Sequence, residues 1–296
     1  MRGRTILLDV FKRLDQMGYQ FVASATATGC GDSLFFQKIQ QSSANRSTAA
    51  ASQTSRYALM SMNKGDRLRM IGLTAEVAQS VHDVVKKTWP KGVKDDRPRH
   101  DREFYCDEIK LDGTPWECKD EIESKQARLL LTKVFEELSA KGWLVECGIS
   151  VTPWNLDDSS ILMLRQCDGT VQRREHFAIH PMSTDLLWVI GAPSDAVTCI
   201  RNVVNTHAPV AADALEIKED EDSSSQTISF KFANVTPWTV DYWSESRHLL
   251  AFMVQALDKA QWRLAFSADC SIVTSRSHHG NIEHKREMDT MFFVKA

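Results

Sequence analysis

The segment that decides the fold is residues 130–143, LLTKVFEELSAKGW. Its apolar residues Leu131, Val134, Phe135 and Leu138 stand at i, i+3, i+4 and i+7, which places them on one face of a helix. A glycine and a tryptophan follow at once, and glycine suits the left-handed position that ends a helix. The segment therefore predicts an amphipathic helix that leads directly into a strand.

The same pattern occurs three times along the chain. Moving 124 residues towards the N-terminus, or 119 residues towards the C-terminus, recovers the apolar face, the helix-ending residue and the aromatic residue. Self-similarity at a near-constant offset is the mark of a repeat architecture. The equivalent sets are Val10, Phe11, Leu14, Gly18 and Tyr19; Val134, Phe135, Leu138, Gly142 and Trp143; and Met253, Val254, Leu257, Gln261 and Trp262.

A hairpin is predicted after each helix, because a strand-like segment follows each aromatic residue and a second apolar segment follows that. The first strands are expected at 19–28, 143–151 and 262–271, and the second strands at 33–38, 160–165 and 290–295.

Two further landmarks recur in the same order. Ile71-Gly72, read as the end of a strand and a turn before a helix, matches Ile190-Gly191, 119 residues later. Thr114-Pro115-Trp116 matches Thr236-Pro237-Trp238 after one inserted residue. Recurring tryptophans indicate core packing between helix and sheet.

The repeat indicates an α/β (α+β) protein made of a strand–helix–strand–helix–hairpin unit, with mixed sheets and helices packed on one face. In the alternative phase each unit starts at the amphipathic helix, which leaves an incomplete unit at the C-terminus. The predicted divisions are a helix–hairpin half-repeat at 1–38, a flexible linker or loop at 39–57, a first complete repeat at 58–168 and a second at 178–296.

The composition is that of a globular intracellular protein, with 43% hydrophobic residues and a net charge of -3. This charge argues against a chain-wide nucleic-acid or membrane-binding surface. The 7 cysteines are scattered without a Cys-x-x-Cys pair, which favours reduced thiols over a disulfide framework or a cysteine zinc site. No apolar run is long enough to span a bilayer, so we expect a soluble cytoplasmic protein, with the nucleus as the alternative.

Catalytic signatures are missing from the sequence. It has no phosphate-binding glycine loop and no nucleophile elbow, and we expect no cofactor. His278, His279 and His284 form the densest histidine cluster and are candidates for binding a ligand or a metal ion. The alternative interpretation is a solvated loop. His176 and His180 are expected to share one face of a strand, and Cys270 is expected to be a buried structural thiol.

Partner contacts are assigned to non-recurring tryptophans and to a basic region. Trp154 lies in a predicted hairpin loop and is the first candidate, and Trp89 and Trp243 are the others. Arg97 and Arg99 lie in a mixed-charge loop that also offers a weaker nucleic-acid hypothesis.

The leading hypothesis is a non-enzymatic interaction or scaffold protein with a protein partner, because a duplicated module carries no recognisable catalytic set. The alternative is an enzyme or small-ligand-binding protein with a site in the cleft between the repeats, for which Asp269, Cys270, His278 and His279 are the candidates.

Overall fold

A computed structural model describes most of the chain, and all structural statements below concern its described residues. These are residues 2–25, 33–39, 57–101, 106–117, 120–149, 158–167, 171–208, 215–220, 226–233, 236–238, 243–270 and 289–296. The predicted linker therefore lies almost wholly outside the described residues.

The helices begin and end where local chemistry predicts. Thr74 caps the second helix by accepting a hydrogen bond from the backbone N–H of Val77 at 3.4 Å. Gly18, Gly142 and Gln261 follow three of the helices with φ of 80°, 81° and 66°, as the repeat predicts. The helices are α1 (Arg2–Gln16), α2 (Ala75–Thr88), α3 (Glu121–Ala140), α4 (Ser194–His207) and α5 (Trp243–Lys259).

The strands form one hairpin and two larger sheets. They are β1 (Tyr19–Ala25), β2 (Ser33–Lys38), β3 (Tyr57–Asn63), β4 (Arg67–Ile71), β5 (Arg99–Asp101), β6 (Cys106–Lys110), β7 (Trp143–Ile149), β8 (Asp158–Gln166), β9 (His176–Met182), β10 (Leu186–Ile190), β11 (Leu215–Glu219), β12 (Thr227–Phe232), β13 (Trp262–Ala268) and β14 (Thr290–Lys295).

Two six-stranded sheets have the same strand order. Sheet 1 runs β5-β6-β4-β3-β8-β7, and sheet 2 runs β11-β12-β10-β9-β14-β13. Every described pairing is antiparallel, so the prediction of mixed sheets is wrong. Module 1 denotes sheet 1 with α2 and α3, module 2 denotes sheet 2 with α4 and α5, and the half-unit denotes α1, β1 and β2.

The sequence pattern did not reveal β3 of module 1, and it indicated β9 of module 2 only through the expected shared face of His176 and His180. Tyr57–Asn63 is buried along its whole length, so it lacks the alternation of a half-exposed strand. His176–Met182 contains Pro181, which argues against a central strand. β14, however, pairs only with residues 176–179, so Pro181 lies beyond the ladder on that side.

The three copies share irregularities as well as elements. Each hairpin has a β-bulge at the equivalent position, where Val22, Glu146 and Ala265 are the extra residues. The Thr-Pro-Trp turns also match, because the indole N–H of Trp116 donates to Arg67 O at 3.0 Å and that of Trp238 donates to Leu186 O at 3.1 Å. The tandem repeat is thus present in hydrogen-bond detail.

The copies stack in layers. The helix face of a sheet is the face that its own two helices cover, and the back face is the opposite one. The junction is the layer where α3 meets the back face of sheet 2, and one hydrophobic core includes both modules there. In the same way α1 packs on the back face of sheet 1 in a core of its own. α4 and α5 cover the helix face of sheet 2.

Candidate functional site

The junction holds a buried polar cluster centred on Arg128 of α3, whose side chain is 1% exposed. Its guanidinium Nε donates to Thr290 Oγ1 at 3.0 Å, and Nη1 donates to the Ser124 carbonyl at 3.2 Å. Nη2 lies 3.0 Å from His180 Nε2. A buried cation needs such partners, because desolvation is costly and only well-placed acceptors offset it.

The cluster fixes the state of His180. The guanidinium can only donate, so His180 Nε2 accepts and the proton lies on Nδ1. Nδ1 lies 3.2 Å from Thr290 Oγ1, to which it donates. Burial and the nearby positive charge of Arg128 hold the pKa of His180 well below its ordinary value. His180 is therefore a neutral hydrogen-bonding residue rather than a protonated general acid.

Cys270 lies at the same junction and is also buried. Its thiol Sγ donates to the carbonyl of Ala268 at 3.6 Å. Burial raises the pKa of this thiol to about 12. A nucleophilic cysteine needs a lowered pKa and access to substrate, and Cys270 has neither. This agrees with the predicted role as a structural thiol.

Apolar side chains fill the rest of the junction. Trp188, Phe266 and Phe292 are buried there together with Leu129. Phe266 and Phe292 stack with centroids 4.9 Å apart, and Phe135 of α3 meets Phe292 edge-on at 5.1 Å. Burying three large aromatic side chains contributes on the order of 5 kcal/mol, so the two modules are held firmly together.

Backbone contacts also cross the junction. Ser160 N–H donates to the Asp269 carbonyl at 3.0 Å, and Asp269 N–H donates back to Ser160 Oγ at 2.9 Å. A side chain at Gly148 would clash with the Ser267 carbonyl and with Ala268. Asp269, which with Cys270 is one of the two described candidates of the cleft hypothesis, thus takes part in holding the modules together.

An arginine recurs at the helix position of Arg128 in all three copies. The sequence contained this signal, but a comparison of apolar positions alone missed it. Arg4, Arg128 and Arg247 are related by the shifts of 124 and 119. Arg4 Nη1 donates to Asn63 Oδ1 at 2.9 Å on the back face of sheet 1. Arg128 makes the corresponding contact with sheet 2, whereas Arg247 lies on the exposed side of α5.

The other histidine of β9 is His176, and it shares the α3 side with His180, as the alternation predicts. Its ring lies edge-on to Phe135 at 6.0 Å, and Nδ1 bonds the Arg174 carbonyl at 2.9 Å. Among the described residues no group of histidine, cysteine, aspartate and glutamate is arranged to hold a metal ion.

The predicted site residues fall in unlike places. Trp89 is 2% exposed and donates its indole N–H to Asp112 O at 2.8 Å, so it is a core residue and not a surface anchor. Trp243 begins α5. Trp154, His278, His279 and His284 lie outside the described residues.

The positive charge of the basic region around Arg97 and Arg99 is largely neutralised by neighbouring acidic side chains. Arg99 Nη2 lies 3.7 Å from Asp95, Lys91 Nζ lies 2.9 Å from Glu123, and Lys86 Nζ lies 3.4 Å from Asp96. Arg97 and Arg99 are exposed, and Arg99 belongs to the short strand β5 rather than to a loop. The alternating signs favour a solvated surface over a phosphate-binding patch.

The half-unit carries the main apolar surface, which sequence reasoning did not predict. Six of the ten exposed large apolar side chains among the described residues lie on it or on the residue that directly follows one of its elements. A concentration of exposed apolar side chains of this kind is a candidate interaction surface. The six are Ile6, Val10, Met17, Val22, Phe35 and Ile39.

Fold and junction together define a tandem-repeat α+β protein whose modules stack through helix and sheet faces. One domain-family model matches the chain twice, over residues 56–164 and 175–294, and these matches cover more than half of it. The chain therefore belongs to that family and carries its domain as a tandem pair. No curated protein and no solved structure matches the chain significantly. Among the described helices, none is both long and apolar enough to cross a membrane.

Proposed function

We propose that the protein is a non-enzymatic interaction or scaffold protein, in which the stacked modules form a rigid body that presents the half-unit to a partner. The observation that carries the proposal is the concentration of exposed apolar side chains on the half-unit. Elsewhere the described surface has only scattered apolar side chains, which are normal for a folded protein.

The side chains that fill the junction also support the interaction role, because they occupy the space between the repeats. The alternative function, an enzyme or small-ligand-binding protein, places its site between the repeats. Trp188, Phe266 and Phe292 occupy that space, and the polar groups around Arg128 satisfy one another. Buried polar groups that bond one another stabilise a structure rather than await a substrate, although the buried indole N–H of Trp188 has no hydrogen-bond partner among the described residues.

We place the protein in the cytoplasm, with the nucleus as the alternative compartment. None of the five described cysteines forms a disulfide, and Cys106, Cys147 and Cys270 are buried. Reduced thiols are the usual state in those compartments.

The test is native affinity capture of the full chain from its source cells, combined with cross-linking and mass spectrometry. We expect a stoichiometric partner whose cross-links fall on Lys12 and Lys38 of the half-unit. Val10→Glu should lower its recovery, because it places a charge on the exposed apolar surface. Ile122→Glu is the matched control, since Ile122 is an exposed apolar residue on α3, 54% exposed against 43% for Val10.

Two results would contradict the proposal. One is repeated capture without any stoichiometric partner. The other is a small molecule that copurifies with the chain and is displaced by a substitution at the junction, since this would favour the alternative function.

A further inference from the structure

We propose that the half-unit is a homodimerisation surface, which pairs with the half-unit of a second copy of this chain through β2 and α1. The inference rests on the proposed interaction role and gives that role a specific partner. Three observations support it. Apolar positions on α1 are uncovered, and the outer edge of β2 is open among the described strands. A second half-unit can also supply both a neighbouring helix and a neighbouring strand.

The first observation is the exposure of α1 at positions that the complete modules bury. Ile6 is 62% exposed and Val10 is 43% exposed. Their repeat equivalents on α3, Leu130 and Val134, are both 0% exposed in module 1, where α2 packs beside α3. The opposite side of α1 already packs on sheet 1 through Leu8 and Phe11. Among the described helices, none packs against this uncovered side of α1.

The second observation is the outer edge of β2. In the complete modules the equivalent strands β8 and β14 pair with β3 and β9. Among the described strands, β2 pairs with β1 alone. An open edge next to an exposed apolar helix face is a template for another antiparallel strand.

A second copy of the half-unit can cover the exposed side of α1 and pair with the outer edge of β2 at the same time. A two-fold axis perpendicular to the hairpin makes the two β2 strands antiparallel, as β3 and β8 are. The same axis places both α1 helices on one side of the joined sheet, as α2 and α3 lie on one side of sheet 1. The contact is isologous, so every residue contributes twice and the assembly closes as a dimer.

The residues on this surface suit self-association. β2 has one charged residue, Lys38, at its end, so like charges do not oppose each other across the axis. Phe35 or Phe36 in the middle of β2 meets its own copy there, because paired side chains must share a face. On α1, Gly3 continues the stripe of Ile6 and Val10, and no atom lies within 4 Å of the position that a side chain would take.

The other end of the stack favours a closed dimer over a filament. The face of α5 that corresponds to the junction face of α3 carries Arg247, His248, Ala251 and Gln255, all exposed. Phe252 on this face stacks on His207 with centroids 4.0 Å apart. A polar outer face is typical of a terminal repeat. Head-to-tail stacking through α5 is therefore disfavoured.

The test uses the purified full chain. Sedimentation and light scattering over about 1 µM to about 100 µM should show a species with twice the mass of the chain. Val10→Glu and Ile6→Glu should each weaken the dimer by at least about tenfold, because each buries a charge in the interface. Ile122→Glu is the matched control and should leave the dimer constant unchanged. Circular dichroism checks that each variant remains folded.

Cross-linking between copies gives a second, independent readout. A mixture of unlabelled and ¹⁵N-labelled chains distinguishes links between copies from links within one copy. We expect mixed-isotope links between Lys12 and Lys38 of different copies, and their loss in Val10→Glu.

A wild-type chain that stays monomeric over this range overturns the dimer, as does a dimer that Val10→Glu and Ile6→Glu both leave unchanged. These outcomes are distinct from failure of the proposed function. A monomeric chain that still captures a different stoichiometric protein in cells loses the dimer and keeps the interaction role.

Discussion

Arg128 of α3 and His180 of β9 face each other across the junction, with guanidinium Nη2 3.0 Å from imidazole Nε2. The pair joins a helix of module 1 to a central strand of module 2. Because Nε2 accepts this hydrogen bond, the histidine is neutral and its other nitrogen donates to Thr290. The contacts between the stacked modules thus include one buried cation with a defined set of acceptors.

Replacing this cation should destabilise the chain. Arg128→Met should lower the free energy of unfolding by about 2–4 kcal/mol, since it leaves buried polar atoms of Ser124, His180 and Thr290 without their partner. Arg247→Met is the matched control at the equivalent, exposed position, and should change it by about 0.5 kcal/mol or less. Denaturant titration measures both, and equal effects would refute this role of the junction.

The close approach of the two modules at Gly148 gives a second prediction. Gly148→Ala should destabilise the chain by about 1–3 kcal/mol, because the new methyl group meets the Ser267 carbonyl and Ala268. Gly3→Ala, where no atom lies within 4 Å, should be neutral or slightly stabilising. Thermal unfolding of both variants checks the difference, and a neutral Gly148→Ala would show that the modules separate easily.

Burial of His176 predicts a loss of stability in acid. Burial lowers the pKa of His176 from 6.5 to about 4. Between these values the unfolded chain binds a proton that the folded chain does not, so the free energy of unfolding falls as the pH falls. The contribution is fully present above pH 6.5, and up to about 3 kcal/mol is lost by pH 4.

The check is stability against pH for His176→Gln and for His248→Gln, an exposed histidine on α5. The first variant should have a shallower slope, although some slope remains because the pKa of His180 is lowered too. The second should match the wild type. A wild-type slope in His176→Gln would contradict the assignment.

Thiol reactivity tests the structural role of Cys270. Burial raises the pKa of its thiol to about 12, so little thiolate forms at neutral pH. In the native chain Cys270 should react with iodoacetamide more slowly than the half-buried Cys167 and Cys199. Peptide mass spectrometry after timed quenching measures the rates. Fast alkylation of Cys270 in folded protein would reopen the enzymatic hypothesis.

The helix–hairpin repeat was predictable because its chemistry is local. The apolar face around Phe135 and the left-handed Gly142 encode a helix and its end without reference to the rest of the chain. The strand β3 was not predictable, since it is buried on both faces and therefore lacks a period of two. Sheet direction was also wrongly predicted, because pairing of distant strands leaves no local signal.

The candidate site was even less accessible from sequence. Arg4 and Arg128 recur, but which side of a helix meets another module depends on how the copies stack. Trp89 resembled a surface anchor because it does not recur, yet its hydrogen bond to Asp112 O belongs to the core. Ile6 and Val10 are likewise exposed because no described element packs on that side of α1. Tertiary packing of this kind leaves no local sequence pattern.

The β-bulge shared by the hairpins has a consequence for how the chain unfolds. In β13, Trp262 lies in the core of module 2, whereas Phe266, beyond the bulge at Ala265, lies in the core shared with module 1. One strand thus serves two cores, because the extra residue reverses the alternation of its side chains. β13 cannot leave one core without opening the other, so we expect both modules to melt in one cooperative calorimetric transition.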